Sequence, residues 1–188
     1  MDTLLLTLIA TFVAEIGDRT QLLVALLVLR YARPGPVMAG FAAATIVNCA
    51  LSVLVGGFFA GVIEGRALQI FQAMALAFAG VAMLWPPMAL DRLEGWRVPP
   101  FWVAFLGCAV LEFGDKSQFL IIAAAARADL PWLAGIGGML GIGLAALLAA
   151  AMARRFEGWA PLKWLRFAGG IGFAIGAIVI GAGALQTS

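Results

Sequence analysis

Six apolar stretches, each long enough to cross a lipid bilayer, restrict the folds that this sequence can adopt. They cover residues 4–29, 37–63, 67–87, 101–126, 131–152 and 165–185. A membrane-spanning helix needs about 20 mostly apolar residues. Of the 188 residues, 64% are hydrophobic and 12% are charged, whereas soluble domains are roughly half apolar and a quarter charged. The sequence therefore predicts an all-α integral membrane protein with six transmembrane helices.

One charged motif occurs twice within these apolar stretches. Residues 15–21 read EIGDRTQ, and residues 112–118, which lie 97 positions later, read EFGDKSQ. An ionisable side chain in the middle of a transmembrane helix costs about 2.5–3.5 kcal/mol even on the lenient insertion scale. A motif that incurs this cost twice indicates a site that handles something charged.

The longest polar stretch, residues 91–97, separates two groups of three predicted spans. Because three is odd, the second group must enter the membrane upside down relative to the first. Many transporters use such inverted repeats to build a binding site near the membrane midplane. We therefore predict a first three-helix repeat at residues 1–90, a connecting loop at 91–100 and an inverted second repeat at 101–188, which together form one transport domain.

Basic residues in the predicted loops indicate the orientation of the protein in the membrane. Lys and Arg accumulate in cytoplasmic loops. Only Arg66 and Arg127 lie in the loops after spans 2 and 4, whereas eight basic residues lie in the loops after spans 1, 3 and 5. Both termini are therefore predicted on the non-cytoplasmic side. The eight residues are Arg30, Arg33, Arg92, Arg97, Arg154, Arg155, Lys163 and Arg166.

The acidic residues of the two motifs are the candidate metal ligands. On a helix, residues i, i+3 and i+4 share one face, so the acids and the base of each motif should project together. An inverted repeat would bring the two charged faces toward one another. Hard cations such as Ca²⁺, Mg²⁺ and Mn²⁺ prefer oxygen ligands. The predicted metal ligands are Glu15, Asp18, Glu112 and Asp115, and the predicted supporting residues are Arg19, Thr20, Gln21, Lys116, Ser117, Gln118 and Asn48.

The charges of the two motifs predict exchange of a divalent cation for protons. Each motif carries two acids and one base, so the ionised pair has a net charge of −2, which one divalent cation would neutralise. Gly17 and Gly114 could let the helices unwind locally and free backbone carbonyls as further ligands. Carboxylates crowded in a low-dielectric site resist full ionisation, so metal binding would expel protons and protonation would expel metal. We expect a transported divalent cation and protons, and no resident cofactor.

Two E-x-G-D-[KR]-[ST] motifs in a six-to-seven-span inverted repeat resemble the Ca²⁺:cation antiporter-2 family. That family includes Golgi Ca²⁺/Mn²⁺ transporters of eukaryotes and MneA-type manganese exporters of bacteria. The resemblance implies a secondary transporter and not an enzyme, in the inner membrane of a bacterium, with Mn²⁺ favoured and Ca²⁺ as the other candidate. It also implies that the motif acids bind the ion and that Thr20 and Ser117 assist them.

The motif charges and the polar residues of span 2 could instead stabilise the helices and their packing. The acids and bases could pair within each helix, Glu15 with Arg19 and Glu112 with Lys116, since both pairs have the favourable i, i+4 order. The polar residues on span 2, which are Thr45, Asn48 and Ser52, could make a helix–helix hydrogen bond or contact the ion.

Two other functional classes also fit part of the pattern. The two Gly-Asp pairs could belong to an intramembrane aspartyl protease, which needs two Asp residues that share a proton; this would leave Glu15 and Glu112 without a role. Four acids could also bind the ammonium group of a small cationic organic solute in an exporter. The expected partners are membrane lipid and a divalent metal ion, and a net charge of +2 gives no reason to expect nucleic acid.

Overall fold

The computed structural model describes residues 1–86, 90–91, 93, 95–156 and 161–186, without the side chains of residues 155, 156 and 161. Over these residues the chain forms helices and no strand. The helices are α1 (Asp2–Glu15), α2 (Arg19–Tyr31), α3 (Pro34–Ala60), α4 (Gly65–Leu84), α5 (Pro100–Glu112), α6 (Lys116–Arg127), α7 (Pro131–Ala151), α8 (Ala153–Phe156) and α9 (Pro161–Gln186).

Four of these helices, α3, α4, α7 and α9, are long and apolar enough to cross a membrane. Large apolar side chains lie exposed on their outer faces, including Leu54, Phe58 and Ile178, each with about two thirds or more of its surface accessible. Such faces are stable in lipid and would aggregate in water. The chain is therefore an all-helical, multi-pass membrane protein.

The first and fourth predicted spans are not continuous helices. Span 4–29 consists of α1 and α2 with a break at residues 16–18, and span 101–126 consists of α5 and α6 with a break at residues 113–115. Gly17 and Gly114 have φ values of +70° and +74°, a left-handed conformation that glycine adopts without steric cost. The local unwinding that the sequence suggested at these two glycines is present, and the prediction that the acids and the base of each motif share one helix face was wrong, because the helix is broken between them.

The remaining spans begin and end within a few residues of their predicted positions. Pro100 and Pro131 each begin a helix, as expected, because the first helical residue needs no N–H partner. The short helix α8 was not predicted. Pro87, the predicted end of span 3, lies outside the described residues, as do Arg92 and the side chain of Arg155.

The broken helices pack on long helices from the other half of the chain. Helix α1 contacts α7, and α5 contacts α3, while α4 and α9 pack on each other. A side chain at Gly137 would collide with the carbonyl of Leu4, and one at Gly40 would collide with the carbonyl of Phe101. Phe101 lies 97 positions after Leu4, and Gly137 lies 97 positions after Gly40. The same close helix approach therefore occurs at equivalent positions of the two halves.

Candidate metal site

The two helix breaks present the motif acids in the same local backbone. Glu15 ends α1 and Asp18 precedes α2 with φ −85° and ψ 165°. Glu112 ends α5 and Asp115 precedes α6 with φ −79° and ψ 164°. The motif therefore folds alike in both halves, with one acid on each side of a left-handed glycine.

The two motif glutamines stabilise these breaks. The amide N–H of Gly17 donates to Gln21 Oε1 at 3.0 Å, and the amide N–H of Gly114 donates to Gln118 Oε1 at 2.7 Å. Gly17 is half-buried and Gly114 is exposed, so the cost of an unpaired N–H, up to about 1–3 kcal/mol where the group is buried, is larger at Gly17. The side chain of Gln21 also donates to the carbonyl of Ala145 on α7 at 2.9 Å. Both glutamines were predicted to support the site, and in the structure their amide oxygens are occupied by the glycine N–H groups.

Three of the four motif acids come together. Glu15, Asp18 and Asp115 each offer one carboxylate oxygen, and these oxygens lie within 4.8 Å of one another. A cation bound at about 2.1–2.6 Å holds its opposite oxygen ligands roughly 4–5 Å apart. The spacing is therefore suitable for a single cation held by acids from both motifs.

Lys116 lies inside this group of acids. Its Nζ is 3.0 Å from Asp18 Oδ1 and 2.9 Å from Asp115 Oδ2, and its side chain is 2% exposed. The pairs that the i, i+4 order suggested are not present, because the chain leaves the helix between the acid and the base of each motif. Among the described residues Arg19 makes no ion pair. When all three carboxylates are ionised, they and the one ammonium give this group a net charge of −2.

Glu112 lies outside the group of three and is held by α3. Its carboxylate accepts hydrogen bonds from Thr45 Oγ1 at 3.2 Å and from Asn48 Nδ2 at 3.3 Å. The hydroxyl of Ser52 donates to the carbonyl of Asn48 at 2.7 Å. Thr45 and Asn48 of the polar stripe on span 2 therefore make helix–helix hydrogen bonds to a motif acid, whereas Ser52 bonds within α3.

Ser117 connects the two halves of the candidate site. Its hydroxyl donates to Glu15 Oε1 at 2.5 Å, and it also lines a small cavity of about 10 Å³ beside Glu112. That volume corresponds to about one water-sized probe. Thr20, the equivalent residue of the first motif, is buried, but its hydroxyl makes no hydrogen bond to the described residues.

An open cavity of about 370 Å³ leads from the end of α4 to the two aspartates. Its lining combines charged residues of both signs with aromatic and aliphatic residues. Arg19, half-buried, forms part of its wall. The lining residues are Asp18, Arg19, Phe78, Val81, Ala82, Trp85, Pro86, Leu111, Phe113, Gly114, Asp115, Lys116 and Arg166.

Arg166 is the residue that sequence reasoning missed, because it was counted as a loop charge. It lies within α9, half-buried, and its guanidinium donates to the carbonyls of Ala82, Met83 and Trp85 at the end of α4. It also donates to the carbonyl of Gly17 at 3.2 Å. Its position after the start of an apolar helix was the available signal, since a basic residue there must find acceptors inside the protein.

Comparison with known proteins identifies the family. A family model described as "Divalent cation/proton antiporter GDT1" matches residues 3–91 and 100–188. The chain belongs to the GDT1 family. The two matched ranges are shifted by 97 positions, as are the two motifs. No solved structure matches the chain.

A curated protein of Vibrio cholerae serotype O1, named "Putative manganese exporter", is similar to this GDT1 family member. The two sequences are 35% identical over 149 residues, which is 77% of this chain and 73% of the other. GDT1 proteins exchange divalent cations for protons. Three carboxylates, two buried and one half-buried, with one ammonium among them can alternate between a divalent cation and protons, since both neutralise the same oxygens.

Proposed function

We propose that the protein exports Mn²⁺ from a bacterial cytoplasm in exchange for protons. The observation that carries this proposal is the group of three carboxylates, Glu15, Asp18 and Asp115, within one cation's reach of one another in a divalent cation/proton antiporter. Oxygen ligands alone suit Mn²⁺ and Ca²⁺ alike. The similarity to a protein named as a manganese exporter favours Mn²⁺, and Ca²⁺ is the second candidate.

The proposed transporter has six transmembrane segments in an inverted repeat of three and three. Two segments are the broken pairs α1–α2 and α5–α6, and four are the long helices α3, α4, α7 and α9. The shift of 97 positions that relates the motifs, the glycine contacts and the matched ranges supports this arrangement. We place both termini on the non-cytoplasmic side of the inner membrane, because most basic loop residues lie at the other end of the spans.

The open cavity supports binding from the cytoplasm. Trp85 and Pro86, which line it, follow the end of α4, and Arg166, which also lines it, lies near the start of α9. Both belong to the side on which the basic loop residues accumulate. A cation in the cytoplasm would therefore reach Asp18 and Asp115 through this cavity, as export requires.

The other motif residues shape this site. Ser117 orients Glu15, Gln21 and Gln118 stabilise the breaks, and Thr45 and Asn48 hold Glu112 beside the group. Glu112 is then the fourth acid, available as a ligand or proton carrier when the ion moves. No resident cofactor is needed for this exchange.

An intramembrane aspartyl protease fits this geometry less well than a transporter. Protease chemistry needs two Asp residues that share a proton around one water. Here the ammonium of Lys116 lies between Asp18 and Asp115, where that water would have to be. We therefore infer transport without catalysis.

The test is Mn²⁺ flux in proteoliposomes with and without a pH gradient. Wild-type protein should move Mn²⁺ against its gradient when a pH gradient is imposed, and Mn²⁺ flux should move protons the other way. Asp115→Asn should abolish both movements, whereas Asp129→Asn, which removes an exposed loop carboxylate, should retain them. Ca²⁺ in place of Mn²⁺ identifies the preferred ion. Mn²⁺ flux that ignores the pH gradient would remove the proton coupling, and equal flux by Asp115→Asn and wild type would remove the site.

A further inference from the structure

We propose that the ammonium of Lys116 is a tethered cation that keeps monovalent cations out of the carboxylate group and so makes the site selective for divalent ions. This inference rests on the proposed function of the same site and adds a specificity-determining residue to it. Monovalent cations are the main competitors of any cytoplasmic divalent-cation site, because they are present in large excess.

The position of Lys116 is the first argument. A lysine is almost never fully buried unless it is paired, and this one, with a side chain 2% exposed, pairs with both aspartates of the candidate site. Its Nζ is at 3.0 and 2.9 Å from oxygens of Asp18 and Asp115. A cation that used these two carboxylates at ligand distance would have to displace the ammonium.

The charge of the competitor is the second argument. Electrostatic attraction to the carboxylates scales with the charge of the cation. K⁺ or Na⁺ would replace one positive charge with another and would have to break both ion pairs of Lys116 to do so. A divalent cation brings twice the charge to the three carboxylates, so its attraction can offset the loss of the two ion pairs from which the ammonium withdraws.

The tether of Lys116 is the third argument. A group linked to the site by its own side chain has a millimolar or higher effective concentration, and it does not lose the overall translational freedom that a free ion loses on binding. The flexible four-carbon stem also lets the ammonium withdraw and return. Lys116 therefore competes with a monovalent ion on favourable terms and yields to a divalent one.

Arg19, the equivalent residue of the first motif, provides a contrast within the molecule. Its side chain is half-buried in the cavity wall, and it makes no ion pair with the described residues. Of the two basic motif residues, Lys116 therefore pairs with the acids of the candidate site and Arg19 does not. Exchange of Arg19 for a neutral residue should leave the exclusion of monovalent cations intact.

The experiment measures Mn²⁺ binding to the purified protein in KCl and in N-methyl-D-glucamine chloride of equal ionic strength, by titration calorimetry. For the wild type, K⁺ should change the Kd for Mn²⁺ by less than about twofold, whereas for Lys116→Gln it should weaken binding at least about tenfold, or about 1.4 kcal/mol. Lys163→Gln, which removes an exposed lysine outside the cavity, is the matched control and should behave like the wild type. Arg19→Gln should keep the wild type's insensitivity to K⁺, whatever its effect on the Kd for Mn²⁺. If K⁺ has the same effect on Lys116→Gln and the wild type, the inference is overturned.

A second variant controls for misfolding of Lys116→Gln. It also distinguishes an effect of the ammonium's position between the carboxylates from an effect of the net charge of the site. Removing Lys116 alone leaves buried carboxylates without a partner, which is destabilising, so the double variant Lys116→Gln/Asp115→Asn removes both members of one pair and keeps the net charge. The double variant should bind Mn²⁺ more weakly than the wild type, and K⁺ should weaken that binding further, as it does for Lys116→Gln. If K⁺ has no effect on it, charge and not occupancy sets the selectivity, which overturns the inference. A wild type that binds no Mn²⁺ in either salt contradicts the proposed function itself.

Discussion

The two helix breaks have nearly the same backbone and very different surroundings. At both, a left-handed glycine donates its N–H to a glutamine four residues later, and an aspartate precedes the next helix. The first break is covered, since Leu162 and Arg166 of α9 pack on Gly17. The second is open, since Gly114 has free space around it and Phe113 is 69% exposed. A repeated motif thus determines local structure and leaves the surroundings to other residues.

The sequence explains why the coverage differs. Leu162 and Arg166 correspond, 97 positions earlier, to Gly65 and Gln69 on α4. Glycine has no side chain, and glutamine is shorter than arginine and lacks its fork of five donors. Helix α4 therefore cannot cover Gly114 as α9 covers Gly17. The open break at Gly114 therefore borders the cavity, which Arg166 also lines.

The largest expected effect comes from removing the cover of the first break. Arg166→Ala leaves four backbone carbonyls without their donor. Since hydrogen bonds to charged groups contribute about 1.5–3 kcal/mol each, and water can replace some of them, we expect a loss of about 3 kcal/mol in unfolding free energy. Thermal unfolding of the purified wild type and Arg166→Ala in detergent measures this loss of stability.

The equivalent residue of the other half is the control for this prediction. Gln69 makes no hydrogen bond to the described residues, so Gln69→Ala should change the stability by less than about 0.5 kcal/mol. Arg166→Lys should recover only part of the loss, because an ammonium cannot reproduce the planar fork. Equal melting of Arg166→Ala and Gln69→Ala would contradict the assigned role of the guanidinium.

Replacing the glutamate at each break should weaken Mn²⁺ binding to different extents. Glu15 belongs to the group of three, whereas Glu112 is held by Thr45 and Asn48. Glu15→Gln should therefore weaken Mn²⁺ binding about 100-fold, or about 2.7 kcal/mol, and Glu112→Gln less than about tenfold. Titration calorimetry on both variants compares them directly. A larger loss of binding in Glu112→Gln would show that the ion lies closer to the second break than the structure indicates.

The local structure of the helices could largely be predicted from the sequence. The apolar stretches, the shift of 97 and the glycines beside the aspartates predicted membrane helices that unwind at Gly17 and Gly114. These features depend on hydropathy and on glycine's freedom to adopt positive φ. They do not depend on which helices become neighbours.

Contacts between helices were much less predictable. Two nearly identical motifs predicted that four acids converge and left open whether the two motifs bind metal alike. The structure groups Asp115 with Glu15 and Asp18 and leaves Glu112 with α3. The partners of Lys116 lie across the breaks, so the i, i+4 rule for a continuous helix could not find them. Arg166 was missed for the same reason, since its acceptors belong to α4 and to the first break. The orientation in the membrane and the boundaries of the two repeats stay predictions.

The smallest expected difference concerns the two glutamines. Gln21 makes two hydrogen bonds, to Gly17 and to Ala145 of α7, whereas Gln118 makes one, to Gly114. At about 1 kcal/mol for each bond, Gln21→Ala should lower the stability by about 2 kcal/mol and Gln118→Ala by about 1 kcal/mol. Melting in detergent measures both, and amide exchange at the two glycines reports whether each break loosens separately. If Gln118→Ala proved the more damaging, the open break would depend on its glutamine more than the covered one does, because Gly114 has no neighbouring helix to hold it.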